Sequence, residues 1–408
     1  MAAGKDKQTH IGIFGRTNTG KSSLINVLTD QDIAIVSPEP GTTTDPVKKS
    51  IEIPGIGAVV FIDTAGIEDS SVLGEKRMRK TMSQIDKTDI AILVIDHGGI
   101  GKAEEKLIAE FEIIELPYLV VYNKEDIYPL PDKIRDYLNT RQISWTGFSC
   151  VNTSKRESLV ELIKEKIPED TLKPVSLVGD LISGGDTVLL VTPIDEEAPE
   201  GRLILPQVQV IRDILDNDGI AVLVKERELD VWMSQRSADP ALVITDSQVF
   251  TKVAASVPGS IPLTSFSIIL ARQKGNFEAF LEGTPAISKL KENDRVLILE
   301  SCSHHVSCDD IGRVKIPRWI DNFTGLSLNY TVISGLDDLP DEIEDYAMLI
   351  QCGGCMLTRR QVINRLRRAI SAGIPVSNYG MAIAYTQGIF RRAVEAFVHS
   401  DNHHLEYL

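Results

Sequence analysis

Short apolar runs recur along the chain. Each opens into a polar or glycine-bearing turn, and most are followed by a stretch with apolar positions three and four residues apart. Ile11-Gly12-Ile13-Phe14, Leu119-Val120-Val121-Tyr122, Thr187–Val191, Ala221–Val224, Ala241–Ile244, Val296–Glu300, Ala347–Ile350 and Ile374–Ser377 are the strand candidates. A further run ends in Phe61-Ile62-Asp63, and another lies near Leu328–Ile333. Helical periodicity fills the gaps: Leu24, Ile25, Val27 and Leu28; Ser158–Ile163; Gln207–Leu215; Leu229–Ser234; Phe266–Ala271; Phe277–Phe280; and the arginine-rich stretch from Thr358. Alternating strand and helix predicts an α/β chain with largely parallel sheets.

Length divides this pattern. A chain of 408 residues exceeds one ordinary domain. Pro168-Glu169-Asp170-Thr171-Leu172-Lys173-Pro174 has linker composition and closes a first α/β block. We expect three α/β domains, at 1–168, 175–263 and 264–408. The middle block carries no Cys, no His and no phosphate loop, and its Asp195-Glu196-Glu197 run reads as a solvated loop. Its stretch bearing Ile204, Leu205, Val208, Val210, Ile211, Ile214 and Leu215 is apolar on more than one face, which suits a buried helix or a subunit interface.

Composition narrows the class. At 43% hydrophobic and 25% charged residues the chain reads as a soluble globular protein. No apolar run reaches bilayer length, and the polar start lacks a signal-peptide core, so a cytoplasmic protein with reduced thiols is expected. A net charge of −15 argues against broad binding of nucleic acid or anionic membrane. Five cysteines, four of them in two short regions, point to metal or redox chemistry rather than a disulfide framework.

The first block contains Gly15-Arg16-Thr17-Asn18-Thr19-Gly20-Lys21-Ser22, set between an apolar strand and an apolar helix. In that setting the glycines let backbone N–H groups face phosphates, Lys21 neutralises the β and γ charges, and the Ser22 hydroxyl ligates magnesium. Ser23 follows in the same turn. Asp63 ends a second strand, placed to hold the magnesium water shell, and the Gly66 N–H can meet a γ-phosphate. Asn123-Lys124-Glu125-Asp126 follows a third strand. The Asp126 carboxylate suits the N1–H and amino donors of guanine, which adenine lacks, so the nucleotide is GTP or GDP. Ser149 and Cys150 fall where a loop would back the base, with Cys150 a small buried hydrophobe.

These motifs resemble the Era and TrmE-like branch of the translation-factor-related GTPases. The resemblance implies that Gly41-Thr42-Thr43-Thr44-Asp45 is switch I, with Thr43 reaching magnesium, and that Asn18 helps coordinate potassium. Two departures imply a slow, switch-like GTPase. Ile67 stands where Ras-like enzymes carry a water-orienting Gln, and Ser71 stands where the TrmE-like pattern has its catalytic acid; Glu68 and Asp69 are the candidate substitutes, though such residues are more often solvated loop charges.

The last block carries the thiols. Val296–Glu300 leads into Ser301-Cys302-Ser303-His304-His305, and Ala347–Ile350 leads into Gln351-Cys352-Gly353-Gly354-Cys355. If these strands are parallel, their carboxyl ends gather Cys302, Cys352 and Cys355 at one crevice, where open α/β sheets place ligands. Three thiolates suit a [4Fe–4S] cluster with one iron left for another ligand. A Cys3His zinc site and a thioredoxin-like redox pair are the alternatives.

With the GTPase block, this Cys-x-His and Cys-x-x-Cys pairing resembles, across the whole chain, the HydF family of [FeFe]-hydrogenase maturation GTPases. The resemblance implies a GTPase domain, a dimerisation domain and an iron–sulfur domain in a homodimer or larger assembly. It also implies a scaffold that takes a diiron subcluster precursor from radical-SAM maturases and delivers it to apo-hydrogenase. The family commonly has His before the Cys-x-x-Cys pair; here Gln351, a poor iron ligand, takes that place. Candidates for the fourth ligand are then His304, His305, Glu300, Asp309, solvent or the precursor, and Cys308 reads as a bystander. Arg359, Arg360, Arg365, Arg367 and Arg368 read mostly as a solvated helix face, with attraction of an anionic diiron group as the sharper reading. Asn378 and Tyr379 are expected at the same crevice, and His399, His403 and His404 in a tail. The rival readings are an Era/TrmE-like GTPase acting on RNA or ribosomes with a structural zinc site, and a redox enzyme with a regulatory GTPase domain.

Overall fold

The computed structural model describes residues 8–29, 48–53, 56–64, 66–67, 80–168, 176–193, 203–301, 310–340 and 342–398. The chain divides into two compact units, Met1–Pro174 and Val175–Leu408.

The first unit is built on a six-stranded sheet. Its strands are β1 (Thr9–Phe14), β2 (Lys48–Ile53), β3 (Gly57–Asp63), β4 (Ile90–Ile95), β5 (Tyr118–Tyr122) and β6 (Trp145–Gly147), in the order β2-β3-β1-β4-β5-β6. All neighbours are parallel except β2 and β3. The strand β4, IAILVI, is apolar throughout and buried along its length, which a parallel sheet covered on both faces requires. The helices Lys21–Thr29 and Arg156–Lys166 pack on one face of β1 and its neighbours, and Lys102–Ile113 packs on the other.

The second unit holds two four-stranded sheets, parallel throughout. One comprises β7 (Thr187–Thr192), β8 (Ile220–Lys225), β9 (Leu242–Thr245) and β10 (Leu263–Ser265), ordered β10-β9-β7-β8. The other comprises β11 (Arg295–Leu299), β12 (Asn329–Ile333), β13 (Met348–Gln351) and β14 (Val376–Asn378), ordered β12-β11-β13-β14. Counted from its own first strand, each sheet runs second, first, third, fourth. In each, the strand order reverses beside the first strand, so a crevice opens at the carboxyl ends of first and third strands. Those pairs are β7 with β9 and β11 with β13.

Alternation in β11 and β13 divides the side chains between two cores. Leu297, Leu299 and Leu349 join a core that also takes Leu189, Val191, Val243 and Ile269 from the β7 sheet and its neighbours. Val296, Ile298, Met348 and Ile350 face Ile316, Ile320, Ala382 and Ile383 instead. Removing a side chain such as Leu349 from this packing costs about 2–5 kcal/mol. The helix Phe266–Lys274 starts directly after β10, where the Ser265 side chain accepts the N–H of Ile268 at 3.3 Å. Its Ile268, Ile269, Leu270 and Ala271 are buried.

Candidate functional site: a nucleotide loop and a thiol turn

The nucleotide loop follows β1. Lys21 is buried, and its ammonium donates to the carbonyls of Gly15 at 3.0 Å and Arg16 at 2.7 Å. Burial lowers its pKa to about 8, against the attraction of Asp63. The Ser22 hydroxyl donates to Asp63 Oδ2 at 3.0 Å, while the buried Oδ1 has no hydrogen-bond partner among the described residues. Burial pushes the Asp63 carboxyl up, with the Ser22 bond and Lys21 pulling the other way. A hydroxyl, a carboxylate and an orphaned carboxylate oxygen at the loop are a donor set that fits a magnesium ion and its water. Ser23 is half-buried in the first turn of the helix, and the Gly20 carbonyl accepts the N–H of Leu24 at 2.9 Å.

The base-side residues converge on the same loop. Asn123 Nδ2 donates to the Thr19 carbonyl at 2.9 Å. Lys124 Nζ donates to the Asn18 carbonyl and to Asp96, both at 2.7 Å. Asp126 is exposed. The Ser149 hydroxyl accepts the N–H groups of Val151 and Asn152 and so shapes the turn, and the Cys150 thiol donates to Asn123 Oδ1 at 3.4 Å. Burial pushes that thiol up to about 11, which keeps it protonated. Asn18 is exposed with φ of 64°.

The segment after β3 is latched to the loop. Gly66 lies against Thr17, where an added carbon would be 2.3 Å from the hydroxyl oxygen. The Ile67 N–H donates to the Gly15 carbonyl at 3.2 Å, and the Ile67 side chain enters the core with Phe14, Leu93 and Phe111. It therefore points away from the nucleotide loop and orients no water. Thr43, Glu68, Asp69 and Ser71 lie outside the described residues. Sequence reasoning missed the clamp on Arg16, which donates through Nε and Nη2 to the buried Glu104 at 2.7 and 2.8 Å.

The thiol turn sits at the crevice between β11 and β13. The Cys352 N–H donates to the Leu299 carbonyl at 2.9 Å, so the turn continues the pairing of the two strands. Three N–H donors converge on Cys352 Sγ: the Ser301 backbone at 3.0 Å, Gln351 Nε2 at 3.5 Å and the Gly354 backbone at 3.5 Å. Burial pushes the Cys352 thiol up, and the donors from Ser301 and Gly354 oppose it. N–H donors trained on sulfur stabilise an electron-rich thiolate, so this half of the site fits an iron–sulfur group or a thiolate-bound metal. Cys355 is half-buried, three residues on. Gly354 has φ of 67°, and an added carbon there would be 2.9 Å from Val362 Cγ2.

Gln351 is fully buried. Its Nε2 also donates to the Ser301 hydroxyl at 3.0 Å, and its Oε1 has no hydrogen-bond partner among the described residues. Asn378 holds the Gln351 carbonyl at 3.2 Å and accepts from Gly380 N and Ser267 Oγ. Tyr379 has a buried hydroxyl. A carbon added at Gly312 would be 2.2 Å from that hydroxyl oxygen and 2.9 Å from Glu300 Oε1, which places Tyr379 beside Glu300 at the strand ends. Glu300 itself is engaged by Arg313, at 3.1 Å, and by the Ser334 hydroxyl, at 3.0 Å. The helix Arg359–Ser371 starts behind the turn with a reciprocal cap between Thr358 and Gln361. In that helix Arg365 is buried at 4% exposure, so the expected solvated arginine face does not include it; helical packing turns it inward beside Leu366. Cys302, His304, His305, Cys308 and Asp309 lie outside the described residues, as do His399, His403 and His404. Among the described residues no group of three or more His, Cys, Asp or Glu gathers to hold a metal. Nor, among them, is any helix long and apolar enough to cross a membrane.

The fold and the nucleotide loop define a P-loop GTPase domain joined to an α/β unit that carries thiols. A family profile described as 50S ribosome-binding GTPase matches residues 10–124, hydrogen maturase F dimerization domain matches 177–275, and hydrogen maturase F tetramerization domain matches 278–396. The chain belongs to the hydrogen maturase F family, with an Era/TrmE-like GTPase domain at its N-terminal end. Curated relatives named as GTPases match part of the chain. GTPase Der of Clostridium perfringens is 38% identical over 133 residues, 31% of this chain and 30% of its own. The tRNA modification GTPase MnmE of Aliarcobacter butzleri is 33% identical over 196 residues, 47% of this chain and 39% of its own. The chain thus spans well under half the length of these relatives. A crystal structure of Era with MgGDPNP and a 16S ribosomal RNA fragment covers 53% of this chain and 91% of its own, at 20% identity and a TM-score of 0.35.

Proposed function

We propose that the protein is a GTP-switched iron–sulfur scaffold that carries a diiron subcluster precursor to apo [FeFe]-hydrogenase. The observation that carries this reading is the thiol turn at the β11–β13 crevice, with three N–H donors on Cys352, in a chain that also has a complete phosphate loop. In this reading Cys302, Cys352 and Cys355 hold three irons of a [4Fe–4S] cluster, and His304 is a candidate for its fourth ligand. Gln351 supplies no ligand, which leaves one iron for exchange. Gly15, Asn18, Thr19, Gly20, Lys21, Ser22 and Ser23 hold the phosphates of GTP or GDP. Magnesium sits on Ser22, Thr43 and the water shell of Asp63, and potassium on Asn18. Lys21, Thr43, Asp63 and Gly66 carry the transition state. Hydrolysis is slow, because Ile67 faces the core. The precursor comes from radical-SAM maturases. The protein acts as a homo-oligomer, which the family profiles and the exposed Val208, Leu215, Ile220 and Leu223 support.

The test is anaerobic reconstitution with iron and sulfide, followed by reduction and EPR. A reducible cluster signal that disappears in the triple Cys-to-Ser variant at 302, 352 and 355 supports the reading. No signal, or one that survives that variant, sinks it.

A further inference from the structure

Lys274 is the last residue of the helix Phe266–Lys274 and is only 6% exposed. An ammonium has three N–H donors. Here Nζ faces the carbonyls of Leu357 at 3.0 Å, Gly354 at 3.1 Å and Cys355 at 3.4 Å. All three belong to the thiol turn or its exit into the next helix. The peptide bonds are trans, so the N–H groups of Cys355, Met356 and Thr358 point to the opposite side of the chain. Leu270 of the same helix lies where a carbon added at Gly353 would be 3.4 Å from its Cδ1, and Arg359 Nη1 donates back to the Gln273 carbonyl at 2.6 Å. A buried ammonium is costly unless oriented dipoles offset it, and the turn supplies those dipoles.

We propose that Lys274 is a positioning residue for the thiol turn. Its ammonium locks the carbonyls of Gly354, Cys355 and Leu357 and so brings a positive charge to the carbonyl side of the turn that carries Cys352 and Cys355. A fixed positive charge favours the more negative, reduced form of the group they hold, and so raises its reduction potential. The electrostatic half of this inference rests on the cluster reading above; the locking half does not.

The test uses the full chain with three substitutions. K274M removes charge and donors, K274Q keeps donors without charge, and K274R keeps both. In the apo protein, hydrogen exchange of the amides from Cys352 to Thr358 is expected to be about tenfold faster in K274M. In the reconstituted protein, potentiometric EPR should place the K274M and K274Q midpoints below wild type at equal iron content. K274R should match wild type in both. Unchanged exchange in K274M overturns the lock, and an unchanged midpoint in K274Q overturns the charge effect, including when K274M fails to fold. A wild-type protein that forms no cluster overturns the scaffold reading and the charge effect with it, while the exchange comparison still decides the lock.

Discussion

The two sheets of the second unit have the same strand order and end differently. At the β7–β9 crevice the chain leaves β9 through Asp246, which caps a short helix by accepting the N–H of Gln248 at 2.9 Å. Ser247 there bonds Ser265 at 3.1 Å. These polar groups satisfy one another. At the β11–β13 crevice the chain leaves through Gln351 and Cys352, and N–H donors aim at sulfur. One topology therefore makes one crevice, and the residues at the strand ends decide whether it becomes a joint or a site.

The largest expected effect is at those strand ends. Cys352→Ser and Cys355→Ser should each lose nearly all iron retained after reconstitution, measured by iron and sulfide content. Asp246→Ala, at the matching place in the other sheet, should leave iron content unchanged. Iron loss in Asp246→Ala would break the contrast. Next in size is Lys21→Ala, which should lower GTP hydrolysis at least ~100-fold while leaving any cluster signal intact.

A pH effect follows from the same lysine. Phosphate needs the ammonium form, and burial lowers the Lys21 pKa to about 8. GTP affinity should thus weaken above pH 8, by up to about tenfold per pH unit, read by calorimetric titration. For folding without nucleotide the sign reverses. Between pH 8 and 10.5 the unfolded chain binds the extra proton, so stability gains from this group as pH rises through that window. The smallest effect is Gly354→Ala, expected to cost about 1–2 kcal/mol in denaturant unfolding, because of its positive φ and the approach of Val362.

Local signals were legible in the sequence. The strand β13 reads directly from Met348, Leu349 and Ile350, and the phosphate loop from its glycines, Lys21 and Ser22. The pairing of β11 with β13 followed from expecting parallel strands, since it brings Ser301 to Cys352 across 51 positions of sequence separation. What escaped was set by tertiary surroundings. Lys274 reads as a soluble end to a helix, and only the turn folded over it makes it a buried cation. Arg365 shares its periodicity with exposed neighbours, yet helix packing takes it inward. Glu104 looks like one of several surface acids until Arg16 is placed beside it. The matching order of the two sheets has no local signature, because it depends on which strands pair.

One apolar core runs behind both sheets of the second unit, from Leu189 and Val243 to Leu297 and Leu349. Neither sheet has a private interior on that side. The two should melt as a single cooperative block, with one calorimetric transition for Val175–Leu408. Whatever binds the thiol turn in the native state then adds its free energy to the whole block. The exposed apolar edge strand β8 is carried on that block. By mass action, any group bound at the thiol turn would stabilise the block that presents this strand.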